Sequence, residues 1–296
     1  MKNNNPSTKY AAKDLFNTIG GGMHNGPKHR NADNYASMKT RVESQIDRYD
    51  EAVATNPITL ETIQPLWATK CTERTTAHNM YESRPDLIQD IRNDLMQING
   101  GGGKYKCPLC EVNDVYHLDH YIPREKMSEF SVHPSNLIYI CRDCNEIKDT
   151  MWLDGAGKRI VFNAYYDRIS GKELLLCLVD TIVDGMPRAV IVETPSIEHN
   201  DDSLRELSTL KSLGIDKMYE RKVNDMLQSQ CGLAIEQVRL AMGNGQSIDE
   251  AWGELRQSYL NVLARPLEVI SRLTFKGMAN SSVMRDWLES EVGNQR

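Results

Sequence analysis

Four of the seven cysteines fall in two Cys-x2-Cys pairs, Cys107/Cys110 and Cys141/Cys144, with thirty residues between them. Each short pair can aim two thiolates at one ion, and two pairs complete a tetrahedron, so this spacing specifies a four-thiolate zinc site. With every position filled by sulfur, such a zinc holds structure and performs no chemistry. The residues that could react lie between and just after the pairs. Residues 115–123 read VYHLDHYIP, which puts His117, Asp119 and His120 in one short apolar run. In a buried strand these groups are costly unless paired, hydrogen-bonded or bound to a metal. Residues 141–152, CRDCNEIKDTMW, read as a turn entering a helix, with Asn145, Lys148 and Asp149 on one face at steps of three and four.

The elements that must position these groups follow from apolar periodicity. VYHLDHYIP and NLIYI are expected as two strands, and closing both cysteine pairs on one ion brings Asp119 and His120 against the start of the following helix. Asp119 and His120 alternate across a strand, so a bend is needed if both are to reach one point. Upstream, Tyr35, Met38, Val42, Ile46, Tyr49 and Val53 mark one face of a helix over 34–54. A second helix over 84–98 starts at Pro85, is lined by Leu87, Ile91 and Leu95, and stops at NGGGG. The segment between them, including ITLETIQPLW, reads as helical but broken at Pro65. Downstream, LLLCLVDTIV and AVIVE flank DGMP as a hairpin, and from Ser203 onward the pattern is helical, as in IDKMYERKVNDML and SIDEAWGELRQSYLNVL.

The expected organisation is therefore α+β. Residues 1–33 form a flexible basic arm, 34–99 a helical region, 100–152 the zinc-clamped strand-strand-helix unit, and 153–296 a hairpin followed by helices. With 40% hydrophobic and 26% charged residues among 296, the composition is that of a globular protein. No apolar run is long enough for a bilayer, and MKNNNPSTKY lacks a secretory core, so no membrane partner and a cytoplasmic location are expected. The odd cysteine count argues against a disulfide framework, which leaves Cys71, Cys177 and Cys231 as small core residues.

Net charge is −6, divided as 0 over residues 1–100, −2 over 101–150 and −4 over 151–296. Only the first thirty residues are clearly basic, with Lys2, Lys9, Lys13, Lys28 and Arg30 against Asp14. Tight nucleic-acid binding needs a concentrated basic surface. Folding must gather one from dispersed residues, or a partner must supply it.

The run C-P-L-C, L-D-H-Y-I-P, P-S-N-L, C-R-D-C-N-E-I-K resembles the HNH, or ββα-metal, nuclease motif with zinc-knuckle support, over about residues 100–152. The Asp-His pair, Asn136 seventeen residues after Asp119 and Asn145 nine residues later carry the likeness. The resemblance implies that His120 is the general base and that Asn136 holds the loop and orients it. It implies Asp119 and Asn145 as ligands of a catalytic Mg²⁺ or Mn²⁺, with Asp149 as a third ligand and Lys148 on a phosphate oxygen. The products would carry 5′-phosphate and 3′-hydroxyl ends. The helix before the first knuckle and YYD at 165–167 are similar to HNH proteins of bacterial anti-phage systems of the Septu or retron type. In those the nuclease accompanies an ATPase, which implies a defence-complex subunit as partner and DNA as substrate, with RNA not excluded. The acidic balance motivates a different class of function: a zinc-stabilised nucleic-acid-binding or adaptor module without catalysis.

Overall fold

A computed structural model describes residues 1–27, 30–101, 104–195 and 200–293. The chain forms two compact units, Met1–Ser170 with Asn200–Leu213, and Gly171–His199 with Gly214–Arg296. Both are built from helices and a two-stranded antiparallel sheet, so the α+β expectation holds. The first unit extends past residue 152, where a boundary was expected, because the chain from Arg159 to Asp167 is bonded into it. Gly102 and Gly103, in the expected glycine connection, and Lys28 of the expected arm lie outside the described residues.

The first unit begins with α1 (Ala12–Gly21), α2 (Asn31–Thr55), α3 (Thr72–Ser83) and α4 (Pro85–Gly100), with a 3-10 turn at Pro57–Thr62. Helix α2 buries Met38, Val42, Ile46, Tyr49 and Ala52, the expected stripe with Ala52 in place of Val53. Residues 1–27 are not an arm. Leu15, Phe16 and Ile19 of α1 are buried, and Gly20 lies so close to α2 that a Cβ there would come 2.1 Å from the Tyr35 ring. Ahead of α1, Asn4 donates to Tyr105 Oη at 2.7 Å and Ser7 to Asp94 at 2.6 Å. Polar side chains satisfied by distant partners anchor this segment, and its composition alone does not reveal them. Helix α4 stops at Gly101, whose φ of 54° is the left-handed cap that glycine accepts without strain.

Strands β1 (His117–His120) and β2 (Leu137–Ile140) pair antiparallel, Asp119 opposite Ile138 and His120 opposite Leu137. Helix α5 (Arg142–Lys148) follows, with Cys141 as its N-cap accepting from Cys144 N at 3.5 Å. Helix α6 (Asp201–Ser212) completes the unit. Its link to the strands is a buried ionic clamp. Asp167 accepts from Arg159 at 2.9 and 3.3 Å, from Arg205 at 3.3 Å and from the Asn163 amide at 2.7 Å. Arg159 also donates to Tyr121 Oη at 3.1 Å, next to the end of β1.

In the second unit, β3 (Leu175–Val183) and β4 (Met186–Glu193) form the expected hairpin. Asp184 and Gly185 both have positive φ, 52° and 77°, the turn that matches strand twist. Helix α7 (Ile215–Gly243) covers β4: the Asn224 amide bonds both N and O of Ala189 at 2.9 Å, and Glu220 accepts from Ile191 N at 3.0 Å. Side chains thus occupy edge groups that would otherwise recruit another strand. Helices α8 (Ile248–Leu263), α9 (Val269–Ala279) and α10 (Met284–Gly293) follow. Gly277 of α9 packs on β3, where a Cβ would sit 2.6 Å from Cys177 Sγ. Cys177 and Cys231 are core residues as expected, whereas Cys71 is exposed and caps α3. Among the described residues no helix is long and apolar enough to cross a membrane.

Replacing Asp167 by Ala removes the shared partner of two buried guanidiniums and leaves them only longer ion pairs, Arg159 with Glu61 at 3.6 Å and Arg205 with Asp202 at 3.7 Å. Such a loss costs about 3–5 kcal/mol, read as a lowered urea midpoint for the first unit.

Candidate functional site

The four sulfurs of Cys107, Cys110, Cys141 and Cys144 are buried and lie within 4.8 Å of one another. A tetrahedron with ~2.3 Å zinc–sulfur arms has edges of about 3.8 Å, and Cys110 Sγ to Cys141 Sγ is 3.8 Å. The donor set and its spacing fit zinc. The first knuckle closes through Glu111 N donating to Cys107 O at 2.8 Å, with Glu111 at φ 54°. Asn113 joins the two knuckles, its amide 4.0 Å from Cys141 Sγ and donating to Asp143 at 2.9 Å. Within the tetrad, hydrogen bonds among the sulfurs pull the Cys110 and Cys141 thiols down and push Cys144 up, and burial pushes Cys107 up, whereas a metal requires all four as thiolates.

The clamped loop presents a polar cleft of about 420 Å³ that Asp119, His120, Asn145, Asp149, Tyr81 and Arg124 help to line. The chain bends at Tyr121 and Ile122, directly after β1, so the alternating Asp119 and His120 both reach this space. Four of the groups expected at one point therefore share it. Asp149 is exposed at the end of α5, with φ 41° and its amide donating to Asn145 O at 3.0 Å. Among the described residues no hydrogen bond holds the Asn145 side-chain amide, which leaves it available to a ligand.

Lys148 sits elsewhere than a phosphate-binding lysine should. It is 2% exposed, its ammonium donates to His120 O at 2.7 Å and lies 2.7 Å from Asp119 Oδ2. The contact is a close ion pair that engages Oδ2. Burial pushes the Asp119 carboxyl up and the ammonium opposes that shift. A partly exposed carboxylate and a side-chain amide with no hydrogen bond, both on the cleft, are oxygen donors of the kind a hard divalent cation takes.

His120 is buried, and its Nε2 lies 2.7 Å from Ser131 O. A carbonyl only accepts, so Nε2 carries the proton and Nδ1 keeps the lone pair. Burial lowers the imidazole to about 4, so it is neutral at pH 7. Its supports were not visible beforehand. Ser131 Oγ donates to Ala77 O of α3 at 2.5 Å, and the Tyr81 ring of α3 meets His120 edge-on at 4.7 Å. Tyr81 also donates to Leu118 O at 3.1 Å and lies under the Arg124 guanidinium. Tyr81 lies far from the motif in sequence, and no local pattern points to it.

Asn136 is fully buried, and its side chain makes no hydrogen bond to His120. Its amide accepts from Ile122 N at 2.8 Å and donates to Ile122 O at 3.0 Å and Phe130 O at 3.2 Å. It pins both ends of the loop whose next carbonyl, at Ser131, holds the imidazole. That is a positioning role. His117 packs against the Tyr116 ring at 4.8 Å, and His133 lies 3.2 Å from the Asp50 carboxylate.

The chain is similar to Protein ea31 of Escherichia phage lambda, 33% identical over 120 residues, which cover 38% of this chain and 39% of that protein. No family model matches, and no solved structure matches. The chain thus spans about two fifths of the length of the curated relative it matches.

Two outcomes follow from this geometry. The purified protein carries one equivalent of zinc by atomic absorption, and Cys110→Ser abolishes that content and lowers the melting temperature of the first unit. Lys148→Met leaves the Asp119 carboxylate without its counter-ion, which costs about 3 kcal/mol in a urea titration while the zinc is retained.

Proposed function

We propose that the first unit is an HNH (ββα-metal) endonuclease that hydrolyses phosphodiester bonds in nucleic acid, DNA in the first instance. One observation carries the reading: a neutral imidazole, fixed through Nε2, shares a polar cleft with the Asp119 carboxylate and with a side-chain amide, Asn145, that has no hydrogen bond among the described residues. In this reading His120 accepts the proton of the attacking water at Nδ1. Its low pKa keeps it unprotonated at cellular pH, at the expense of basicity. Asp119 and Asn145 would hold Mg²⁺ or Mn²⁺, with Asp149 close enough along α5 to join them. When bound, that ion supplies charge stabilisation at the phosphate and the departing 3′-oxygen. Lys148 and Asn136 hold the two ends of the catalytic segment in place.

The ion pair of Lys148 with Asp119 favours a second reading. A built-in ammonium already neutralises the carboxylate, as it would in a zinc-stabilised binding module that has dispensed with the catalytic ion. The wider role, an effector beside an ATPase in an anti-phage complex, rests on YYD and the preceding helix. In this structure YYD has a folding duty: Tyr165 donates to Leu137 O at 2.6 Å, and Asp167 holds the arginine clamp.

Incubation with plasmid DNA and with RNA under Mg²⁺ or Mn²⁺, alongside His120→Ala, decides between the two readings. The nuclease reading expects cleavage that EDTA stops and that the variant loses by about 100-fold or more, with zinc content unchanged. Equal cleavage by His120→Ala refutes the assigned base. Absence of cleavage by the unaltered protein under both metals favours the binding module.

A further inference from the structure

The cleft does not end at the reacting groups. It shares Arg124 and Glu125 with an adjoining hollow of about 310 Å³, lined also by Lys70, Arg74 and His78. That hollow shares Lys70 and Thr75 with a third, of about 560 Å³, lined by Arg30, Asn34, Thr72 and Asn79. The three are continuous along α3. Arg74 and His78 lie one turn apart on one side of α3, the side that leads to Tyr81 in the cleft, and Lys70 in the loop before the helix borders the same hollow.

We propose that this groove is the track on which the nucleic-acid strand flanking the reacting phosphate lies, a site that rests on the nuclease reading above. Charge is the first argument. Lys70 is exposed, and among the described residues no carboxylate comes within ion-pairing distance of it. Arg74 donates to the Glu125 backbone carbonyl at 2.6 Å, a neutral acceptor that leaves its charge intact. The acids nearby are engaged: Glu73 holds Ser37, Arg41 and the Trp67 indole, Glu125 lies 3.4 Å from His78 Nε2, and Asp33 pairs with Arg30 at 3.2 Å. Arg124 at the mouth is offset by Glu82 at 2.9 Å and Glu125 at 3.7 Å, which leaves Lys70 and Arg74 as the cations without a carboxylate partner. Uncompensated positive charge therefore gathers in mid-groove, although the whole chain carries −6.

Shape and lining agree with that occupant. Hydroxyls and amides from Thr72, Thr75, Asn34 and Asn79 alternate with the cations, the groups that hold phosphate and sugar oxygens without reading sequence. The twelve residues of α3 give an axis of about 18 Å. One strand of duplex advances about 3.4 Å per nucleotide, so the track holds about five phosphates. A polyanion with regularly spaced charges fits such a groove better than a single small anion does.

The test is anisotropy of a fluorescein-labelled oligonucleotide, as single-stranded DNA, duplex DNA and RNA, in EDTA so that nothing is cut, between 50 and 200 mM salt. Lys70→Glu with Arg74→Glu is expected to weaken binding at least tenfold and to make the salt slope shallower by about 2, with zinc content unchanged. Lys70→Glu alone, at an exposed side chain, gives a smaller loss in the same direction and cannot act through unfolding. Lys217→Glu with Arg221→Glu on α7 changes net charge equally and leaves binding as it was. Wild-type affinity in the α3 double variant, or an equal loss in the α7 variant, overturns the track. Either result can coexist with cleavage that depends on His120, so the track can fail while the nuclease reading stands. A protein that neither binds nor cuts any of the three nucleic acids overturns both.

Discussion

Closing the chain on itself between Cys107 and Cys144 is the constraint from which the site follows. The four sulfurs converge from two knuckles whose intervening segment contains both strands, His120 and Asp119. A strand pair of four residues each is too short to persist alone in water. Held at both ends it becomes a rigid frame, and the free energy of metal binding becomes folding free energy for that frame. Helix α5 starts at the second knuckle, so the same closure sets where Asn145, Lys148 and Asp149 emerge.

The clamp does not aim the imidazole; a second layer does. Asn136 fixes the loop at Ile122 and Phe130, Ser131 presents its carbonyl to Nε2, and α3 holds Ser131 through Ala77. Each contact has one backbone partner and one side chain with few rotamers, so little freedom remains at His120. The Arg159–Asp167–Arg205 clamp secures the far side through Tyr121, the residue that follows His120. Burying these ions is costly, and the return is a fixed end for β1, where the chain must bend.

The zinc cysteines, the short strands, α5, α2, α4 and the DG hairpin were legible because each leaves a local mark: spacing, period or a turn dipeptide. The supports were not. Ser131, Tyr81 and Ala77 meet His120 only through tertiary packing, and nothing in the order TTAHNMYE signals it. Residues 1–27 read as an arm because their anchors, Tyr105, Asp94 and the Tyr35 ring against Gly20, lie far along the chain or in another helix. Lys148 lies off its expected place for a related reason. A lysine on a short polar helix is ordinarily solvated, but this one turns inward to satisfy a carboxylate and a strand-end carbonyl. The basic groove was hidden as well, since its charges come from α3, the preceding loop and Arg124, and averaging over the chain cancels them.

The electrostatics of the cleft bear on the choice between its two readings. Asp119, Glu125, Glu146 and Asp149 line it with Arg124, the buried Lys148 ammonium lies 2.7 Å from Asp119, and His120 is neutral. Two net negative charges would repel a phosphodiester, which is itself anionic. A divalent ion matches that deficit, and a monovalent one does not. Lys148 alone neutralises Asp119 but leaves the remaining carboxylates facing any incoming strand. An ion beside Asp119 would push the ammonium away from Oδ2, yet the bond to His120 O gives Lys148 a neutral acceptor at the same distance. The lysine can therefore serve as counter-ion in the empty cleft and as a strand-end clamp in a loaded one. A pure binding surface for a polyanion has no use for excess carboxylate at its centre, and that argues for the nuclease.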